Sequence, residues 1–176
     1  MIFGAILAGG VGSRMGALEM PKQFLPLGEK PIIIHTLEKF LLCKQFDKIY
    51  IGVHQAWLSH MKDLLEKFCM QKDRVEIVAG GDDRNSTLIN VIEDIRKNYE
   101  ISDENVIVTH DAVRPFVTLR MIEDNIEAAV KYGACDTVVS AIDTIVESED
   151  GKFISSVPNR DKMYQGQTPQ SFKMNM

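Results

Sequence analysis

The 176-residue sequence lacks the features that several large classes of protein require. Its 25 aspartates and glutamates outnumber its 20 lysines and arginines, and the net charge of −5 comes with no basic run or tail. Nucleic-acid-binding proteins depend on concentrated positive charge, so this balance argues against nucleic acid as the main partner. The apolar N-terminal run "MIFGAILAGG" is much shorter than the roughly 20 residues that span a bilayer, and it lacks a charged leader segment. We therefore expect no nucleic-acid partner and no membrane association.

Cysteine is scarce as well. Only Cys43, Cys69 and Cys135 are present, and their spacing is unlike that of a metal site. Cys43 and Cys69 fall in helical patterns and Cys135 lies at the start of a strand pattern, so we expect buried free thiols. Free thiols are typical of a reducing compartment, which predicts a cytoplasmic protein.

Motifs for covalent catalysis and for the common phosphate loops are also missing. The chain contains no G-x-S-x-G, no metal-binding histidine pair and no recognisable Ser/His/Asp arrangement. The segment "AILAGGVGSRMG", residues 5–16, is rich in glycine, but a dinucleotide fingerprint would need glycine at the position of Met15. A Walker loop would need Gly-Lys-Ser/Thr, whereas Lys22 stands between Pro21 and Gln23. A Rossmann oxidoreductase is therefore a distant alternative.

What the sequence does contain is an alternation of strand and helix patterns. The apolar runs "IFGAIL", "KIYIGV", "RVEIVAG" and "NVIVTHDA" are separated by stretches with apolar residues at helical spacing. This alternation predicts a mostly parallel sheet with helices on both faces. The 45% hydrophobic content suits one domain over residues 1–176. Local signals predict Pro31 as a first helical residue, Asn85 or Ser86 as an N-cap, and Gly133 as a helix end.

Loops at the carboxyl ends of the strands carry the chemistry of such folds. In the first loop, Gly9, Gly10 and Gly12 leave backbone N–H groups free to surround a phosphate. Arg14 adds a planar fork for phosphate oxygens, and Lys22 adds a point charge. The alternative is a tight structural turn with two surface cations.

Two later loops add a helix N-terminus and a carboxylate. The segment 80–87, "GGDDRNST", precedes a helix whose N-terminus can accept anionic groups, although a solvated turn explains it equally well. Asp111 follows a buried strand and is a reasonable Mg²⁺ ligand when phosphates complete the shell, although an ion pair with Arg114 is an alternative. Cations, backbone N–H groups and one carboxylate together predict phosphoryl or nucleotidyl transfer by positioning and charge stabilisation.

Four motifs carry a family resemblance. "LAGGVGSRMG…PKQF" resembles the signature L-x-[GA]-G-x-G-x-R-[ML]-G…P-K of sugar and polyol nucleotidyltransferases. "GGDDRNSTL", "HDAVRPF" and "YQGQTPQSF" are similar to segments of its cytidylyltransferase branch, which acts on methylerythritol phosphate or ribitol 5-phosphate. The resemblance covers nearly the whole chain. It implies an α/β fold: a three-layer Rossmann-like nucleotidyltransferase domain with a mostly parallel mixed sheet and a protruding β-arm.

The same resemblance implies a reaction. "IGVHQAWLSH" and "PNRDKMYQGQTPQ" look more like the ribitol phosphate enzymes, which implies transfer of CMP from CTP to D-ribitol 5-phosphate. The products would be CDP-ribitol, a teichoic acid-type cell-wall precursor, and pyrophosphate. The alternatives are a methylerythritol 4-phosphate cytidylyltransferase of isoprenoid synthesis and a nucleotide-binding module without turnover. By the same resemblance, Arg14 and Lys22 would be catalytic, and Asp111 would help to hold Mg²⁺.

The resemblance also implies two sets of substrate-binding residues. Those expected to cradle CTP are Leu7, Ala8, Gly9, Gly10, Gly81, Asp82, Asp83, Arg84, Asn85, Ser86 and Thr87. Those expected to bind the polyol phosphate are Arg114, Thr144, Arg160 and Thr168. Many relatives have serine in place of Thr87, which keeps the hydroxyl. Relatives also continue past "TPQSF" with a helix and a lysine, so the family C-terminal helix is expected to be absent.

The sequence changes in character after Asp136. Residues 136–162 show strand patterns and an Asp-Gly turn with little helix, which predicts a β-arm or edge ribbon. Exposed strand edges tend to pair with another chain. Similar proteins form two-fold dimers in which the arm reaches the neighbour's site, so the resemblance implies a homodimer.

Overall fold

A six-stranded sheet forms the centre of the computed structural model, which describes residues 1–10 and 20–175. Its strands are β1 (Ile2–Ala8), β4 (Lys48–Val53), β5 (Val75–Ala79), β6 (Val106–Asp111), β7 (Ala134–Ser140) and β8 (Tyr164–Lys173). They lie in the order β5-β4-β1-β6-β8-β7. The first four in this order are parallel, whereas β8 runs antiparallel to both β6 and β7. A separate two-stranded ribbon joins β2 (Pro26–Leu27) to β3 (Lys30–Pro31).

In the described part of the chain, four α-helices cover the two faces of this sheet. They are α1 (Ile32–Leu42), α2 (Leu58–Phe68), α3 (Arg84–Asn98) and α4 (Leu119–Tyr132). Buried side chains of α1, α2 and α4 share one apolar cluster with one face of the strands, while those of α3 share a second cluster with the other face. The result is three layers, helix on sheet on helix, and the prediction of a mostly parallel α/β sheet is confirmed.

The alternation of side chains along the strands explains why both faces are buried. In β1, Phe3 and Ala5 belong to the α3 cluster, and Ile6 and Ala8 belong to the opposite cluster. Successive side chains of a strand point to opposite faces, so a strand that is apolar throughout must be covered twice. This is the pattern from which the sequence predicted helices on both sides.

Two local expectations need correction. Helix α3 is capped by Asp83, not by Asn85 or Ser86: the Asp83 carboxylate accepts from the Ser86 N–H at 2.7 Å, and Ser86 bonds back to the Asp83 N–H at 3.0 Å. This reciprocal pair is a capping box, which satisfies two backbone donors at once. Pro31 precedes α1 in an extended conformation, so the helix begins at Ile32. Gly133 does end α4, at a φ of 93°.

The predicted arm is less regular than its sequence pattern indicates. Strands β7 and β8 pair along their length, but β6 pairs with β8 only from Gln170 to Lys173. Among the described strands, the rest of β8 therefore pairs with β7 alone. Residues 141–163 then follow an irregular path with one isolated bridge, between Glu147 and Ser156. The Asp-Gly turn is present, with Gly151 at a φ of 71°. Apart from the Glu147–Ser156 bridge, residues 141–163 form no strand pairing in the part of the chain that the structure describes.

The three cysteines lie at different depths in the fold. Cys43 and Cys69 are buried, Cys135 is half-buried, and all three are free thiols. Burial raises the pKa of each of these thiols.

Of the helices that the structure describes, none is long and apolar enough to cross a membrane.

Candidate active site

The carboxyl ends of the parallel strands surround a cavity of about 300 Å³. Strand β1 ends at Ala8 and β6 ends at Asp111, and α3 begins beside them. The residues that line this cavity, here called the first cavity, are Leu7, Ala8, Gly9, Gly10, Lys22, Gln23, Arg84, Thr87, Asp111, Ala112 and Val113. Segments far apart in the sequence therefore meet at one edge of the sheet.

Thr87 sets the distance between α3 and this edge. Its side chain is fully buried. A Cβ added at Gly9 would lie only 2.3 Å from Thr87 Oγ1, and a Cβ added at Gly52 would lie only 2.5 Å from Thr87 Cγ2. Its hydroxyl donates to the Asp83 carbonyl at 2.8 Å and accepts from the Gly81 N–H at 3.1 Å. Glycine is required at Gly9 and Gly52 by this close approach, since neither has a positive φ.

Lys22 reaches the first cavity from a single helical turn, Lys22–Phe24, that follows Pro21. The neighbouring Gln23 is buried, and its side-chain amide donates to the carbonyls of Ala8 at 2.8 Å and Gly10 at 3.1 Å. Gln23 thus fastens the start of the glycine loop to the segment that carries Lys22. The amino-acid sequence gives no periodic signal for this role, because a single glutamine between two apolar segments matches no helix or strand pattern.

The N-terminus of α3 places a cation at an unusual position. Arg84 is the first residue of the helix and lines the first cavity. A positive side chain at a helix N-terminus opposes the helix dipole, so its presence there is a local cost that anion binding would offset. Asp83 is exposed, and hydrogen bonds from Ser86, first its backbone N–H and then its hydroxyl, hold the pKa of Asp83 below its ordinary value.

Asp111 stands between two arginines. Its Oδ1 accepts from Arg84 Nε at 3.3 Å, and its Oδ2 accepts from Arg114 Nε at 3.0 Å. The ion pair with Arg114, which was the alternative to a Mg²⁺ ligand at Asp111, is therefore present, and Arg84 shares the same carboxylate. Each arginine has a second acceptor on β8: Gln170 Oε1 for Arg84, at 2.9 Å, and Gln167 Oε1 for Arg114.

A second cavity of about 410 Å³ lies next to the first and shares Val113 with it. Its lining is mostly apolar, and its polar residues are His110, Arg114, Thr137, Gln167 and Thr168. The Thr168 hydroxyl lies 3.4 Å from the backbone N–H of Asp111, which ties β8 to the strand end of β6.

His110 lies beneath this arrangement and is 1% exposed. Its Nε2 lies 3.0 Å from the Arg114 carbonyl oxygen, and its Nδ1 has no hydrogen-bond partner among the described residues. Burial lowers the pKa of His110, which favours a neutral ring that donates through Nε2. This position gives His110 a structural role, because its ring braces the turn that presents Arg114.

The structure brings together some predicted site residues and not others. The predicted residues in the first cavity are Leu7, Ala8, Gly9, Gly10, Lys22, Arg84, Thr87 and Asp111, and those in the second are Arg114 and Thr168. The predicted residues that line neither cavity are Gly81, Asp82, Asp83, Asn85, Ser86, Thr144 and Arg160. Thr144 is exposed on the arm, and Arg160 donates to the Ile142 carbonyl at 3.0 Å there. Arg14 lies outside the described residues.

The donor set around Asp111 limits the kind of metal that fits. Within residues 1–10 and 20–175, no three histidine, cysteine or carboxylate side chains come together as a metal cage. A single carboxylate at the mouth of a cavity suits Mg²⁺, which is commonly bound through one or two carboxylates together with substrate phosphates. The residues present therefore fit Mg²⁺ only in company with a phosphate ligand.

Comparisons with known proteins agree on one family. The family model described as "IspD: 2-C-methyl-D-erythritol 4-phosphate cytidylyltransferase" matches residues 2–176. A solved 4-diphosphocytidyl-2C-methyl-D-erythritol synthase from Anaerococcus prevotii DSM 20548 is 26% identical, with a TM-score of 0.81, and the match covers 99% of this chain and 71% of that one. The 2-C-methyl-D-erythritol 4-phosphate cytidylyltransferase of Francisella tularensis is 25% identical with a TM-score of 0.75, and the match covers 98% of this chain and 72% of that one. The bifunctional IspDF of Campylobacter jejuni is 25% identical with a TM-score of 0.76, and the match covers 99% of this chain and 41% of that one.

Proposed function

Since the chain belongs to the 2-C-methyl-D-erythritol 4-phosphate cytidylyltransferase family, we propose that it transfers CMP from CTP to the phosphate of a small polyol. The observation that carries this proposal is the meeting of Gly9, Gly10, Lys22, Arg84 and Asp111 around one cavity. Backbone N–H groups and two cations suit a triphosphate, and the adjoining cavity with Arg114 suits a second phosphate.

In this reaction an oxygen of the polyol phosphate attacks the α-phosphorus of CTP. The bond from that phosphorus to the bridging oxygen breaks, and pyrophosphate leaves with the electron pair. Lys22 and the predicted catalytic Arg14 stabilise the negative charge that builds on the phosphates, and Arg114 orients the attacking phosphate. Asp111 would hold Mg²⁺ together with phosphate oxygens, and the ion would supply neutralisation of phosphate charge. Nothing in this sequence of steps requires a covalent enzyme intermediate.

The acceptor that the comparisons favour is 2-C-methyl-D-erythritol 4-phosphate. The family model and the solved structures from Anaerococcus prevotii and Francisella tularensis are described by that substrate or its product. Ribitol 5-phosphate remains the second candidate, supported by the resemblance of "PNRDKMYQGQTPQ" to ribitol phosphate enzymes. The teichoic acid precursor role depends on that second candidate alone.

We further propose that the active unit is a homodimer. Thr144 and Arg160, expected at the polyol phosphate, are carried by the arm and line neither cavity of their own chain. An arm that reaches the site of a second copy would bring them to the acceptor phosphate, and a two-fold axis would complete both sites equally.

One assay tests the function. Pyrophosphate release is measured with CTP and Mg²⁺ and either 2-C-methyl-D-erythritol 4-phosphate or ribitol 5-phosphate, with ATP, GTP and UTP as nucleotide controls. We expect turnover with CTP and one acceptor, loss of turnover with a chelator, and recovery with added Mg²⁺. Asp111→Asn should lose most of the activity. CTP binding without pyrophosphate release from either acceptor would instead support the nucleotide-binding module.

A further inference from the structure

Two glutamines of β8 flank the Thr168–Pro169 dipeptide, and each accepts a hydrogen bond from a different arginine. Gln170 accepts from Arg84, and Gln167 accepts from Arg114. The arginines face different cavities: Arg84 lines the first cavity, and Arg114 lines the second. The two bonds therefore connect one strand segment to both substrate cavities.

The arginines need such partners because their side chains are mobile by nature and partly exposed. The Arg84 side chain is 42% exposed and that of Arg114 is 43% exposed. Both share the single carboxylate of Asp111 as their other acceptor. A ligand that occupies the Asp111 oxygens would remove that shared hold, and the glutamines would then be the acceptors left to each guanidinium.

An amide oxygen is also the chemically suitable acceptor here. A carboxylate orients a guanidinium but cancels its charge, and so it competes with a phosphate. The amide of a glutamine accepts the same hydrogen bond and leaves the positive charge available. Glutamine can therefore hold an arginine in place and leave it able to attract an anion.

The strand that carries the glutamines is itself held firmly. The Thr109 hydroxyl donates to the Gln170 carbonyl at 3.0 Å, and the Thr137 hydroxyl donates to the Pro169 carbonyl at 2.7 Å. Thr137 in turn accepts from the buried Asn125 at 2.9 Å. The backbone around both glutamines is thus fixed to β6, β7 and α4.

We propose that Gln170 and Gln167 are positioning residues with separate tasks: Gln170 holds Arg84 toward the nucleotide, and Gln167 holds Arg114 toward the acceptor phosphate. The assignment of the two cavities to the two substrates rests on the proposed function. The pairing itself rests on the hydrogen bonds and on the two cavities that the arginines line.

The test compares Gln170→Met with Gln167→Met in the full chain. Methionine keeps the length of the side chain and removes the acceptor. Loss of one hydrogen bond to a charged group corresponds to roughly a tenfold change in affinity. We expect Gln170→Met to raise the KM for CTP about tenfold and Gln167→Met to raise the KM for the polyol phosphate about tenfold. The KM for the other substrate should change less than about twofold in each variant.

Each variant is the control for the other, since both sites flank Pro169. General damage to this strand would raise both KM values in both variants, and that result would overturn the proposal. A double-mutant cycle adds a second criterion: Gln170→Met should have no further effect in an Arg84→Ala background, and independent effects would contradict the pairing.

A binding measurement separates this inference from the proposed function. CTP binding by calorimetry should weaken about tenfold in Gln170→Met and stay unchanged in Gln167→Met, whichever acceptor the enzyme uses. Absence of turnover in the wild-type chain with both acceptors would overturn the proposed function but leave this difference intact. Equal CTP affinity in the two variants would overturn the inference even if the wild-type chain is active.

Discussion

The sheet edge and the arm differ in how far their side chains find partners within their own chain. At the sheet edge, the side chains of Gln23, Thr87 and Asp111 all form hydrogen bonds within the chain, and Asp111 accepts one from Arg84, 27 residues away in the sequence. On the arm, large apolar side chains face outward instead: Ile142 is 83% exposed and Phe153 is 76% exposed. The described part of the sheet edge is thus packed and hydrogen-bonded within one chain, whereas the arm presents exposed apolar side chains.

The comparison indicates which part of the site each region supplies. The first cavity has its cations and its helix N-terminus in place within one chain. Arg160 lies on the arm with apolar neighbours exposed around it, and contiguous exposed apolar surface marks an interaction site. This contrast supports the proposed homodimer, in which the sheet edge binds the nucleotide and the partner's arm completes the acceptor side.

The largest expected effect concerns Lys22 at the sheet edge. Lys22→Ala should lower kcat about 10²–10³-fold, because it removes one donor that stabilises transition-state charge. The KM for CTP should change much less. Steady-state kinetics measure both values.

Lys30→Ala is the matched control for that variant. Lys30 pairs with Glu38 on the surface and lines neither of the two cavities. The kcat of the Lys30→Ala variant should therefore stay at the wild-type value. A Lys22→Ala defect confined to CTP binding would mean that Lys22 only anchors the ground state.

The next prediction connects the two regions through subunit exchange. Lys22→Ala and Arg160→Ala chains, each nearly inactive alone, are mixed in equal amounts and allowed to exchange. Random pairing makes about half of the dimers mixed, and each mixed dimer has one wild-type site if the arm serves the partner. Activity should then return to about a quarter of the wild-type level.

The same experiment separates the two possible arrangements of the arm. If Arg160 serves its own chain, every site in every dimer keeps one defect, and mixing restores no activity. Mixing two preparations of Lys22→Ala is the control for exchange itself, and it should restore none in either case.

Much of the sheet was predictable, because burial on both faces imposes an apolar strand pattern that sequence displays directly. The four parallel strands and their covering helices are confirmed, and so is the cytidylyltransferase activity that the motifs implied. The acceptor was harder, since the motifs resemble ribitol phosphate enzymes while the comparisons favour methylerythritol 4-phosphate. A small polyol is read by a few side-chain contacts, and sequence patterning does not display those.

The polar contacts of the site were less predictable for a related reason. Gln23, Gln167 and Gln170 act through bonds to residues distant in sequence, and no local spacing announces them. The N-cap of α3 was misassigned because "DDRNS" offers several residues that can cap a helix. Helix α3 begins at Arg84, and Thr87 then packs against Gly9 and Gly52. This packing joins segments that are distant in the sequence, so no local pattern indicates it.

A smaller effect is expected from two adjacent glycines at the sheet edge. A Cβ at Gly9 would lie 2.3 Å from the buried Thr87 Oγ1, whereas no described residue lies within 4 Å of a Cβ at Gly10. Gly9→Ala should therefore lower the free energy of unfolding by about 1–3 kcal/mol, the usual range for overpacking. Gly10→Ala should leave it unchanged within about 0.5 kcal/mol. Denaturant unfolding measures both, and equal stability of the two variants would contradict the close approach of α3.

The smallest effect on the folded chain is expected on the arm. Phe40 is a residue of α1 that is fully buried in the core against the sheet, so Phe40→Ala should cost about 3–5 kcal/mol of unfolding free energy. Phe153 is 76% exposed, so Phe153→Ala should change that free energy by less than about 0.5 kcal/mol in dilute samples where chains are separate. At higher concentration the same variant should weaken self-association, measured by sedimentation, because an exposed aromatic side chain on the arm suits an interface. A Phe153→Ala chain that associates as strongly as the wild type would place the dimer contact elsewhere, and a loss of stability like that of Phe40→Ala would show that the arm packs within its own chain.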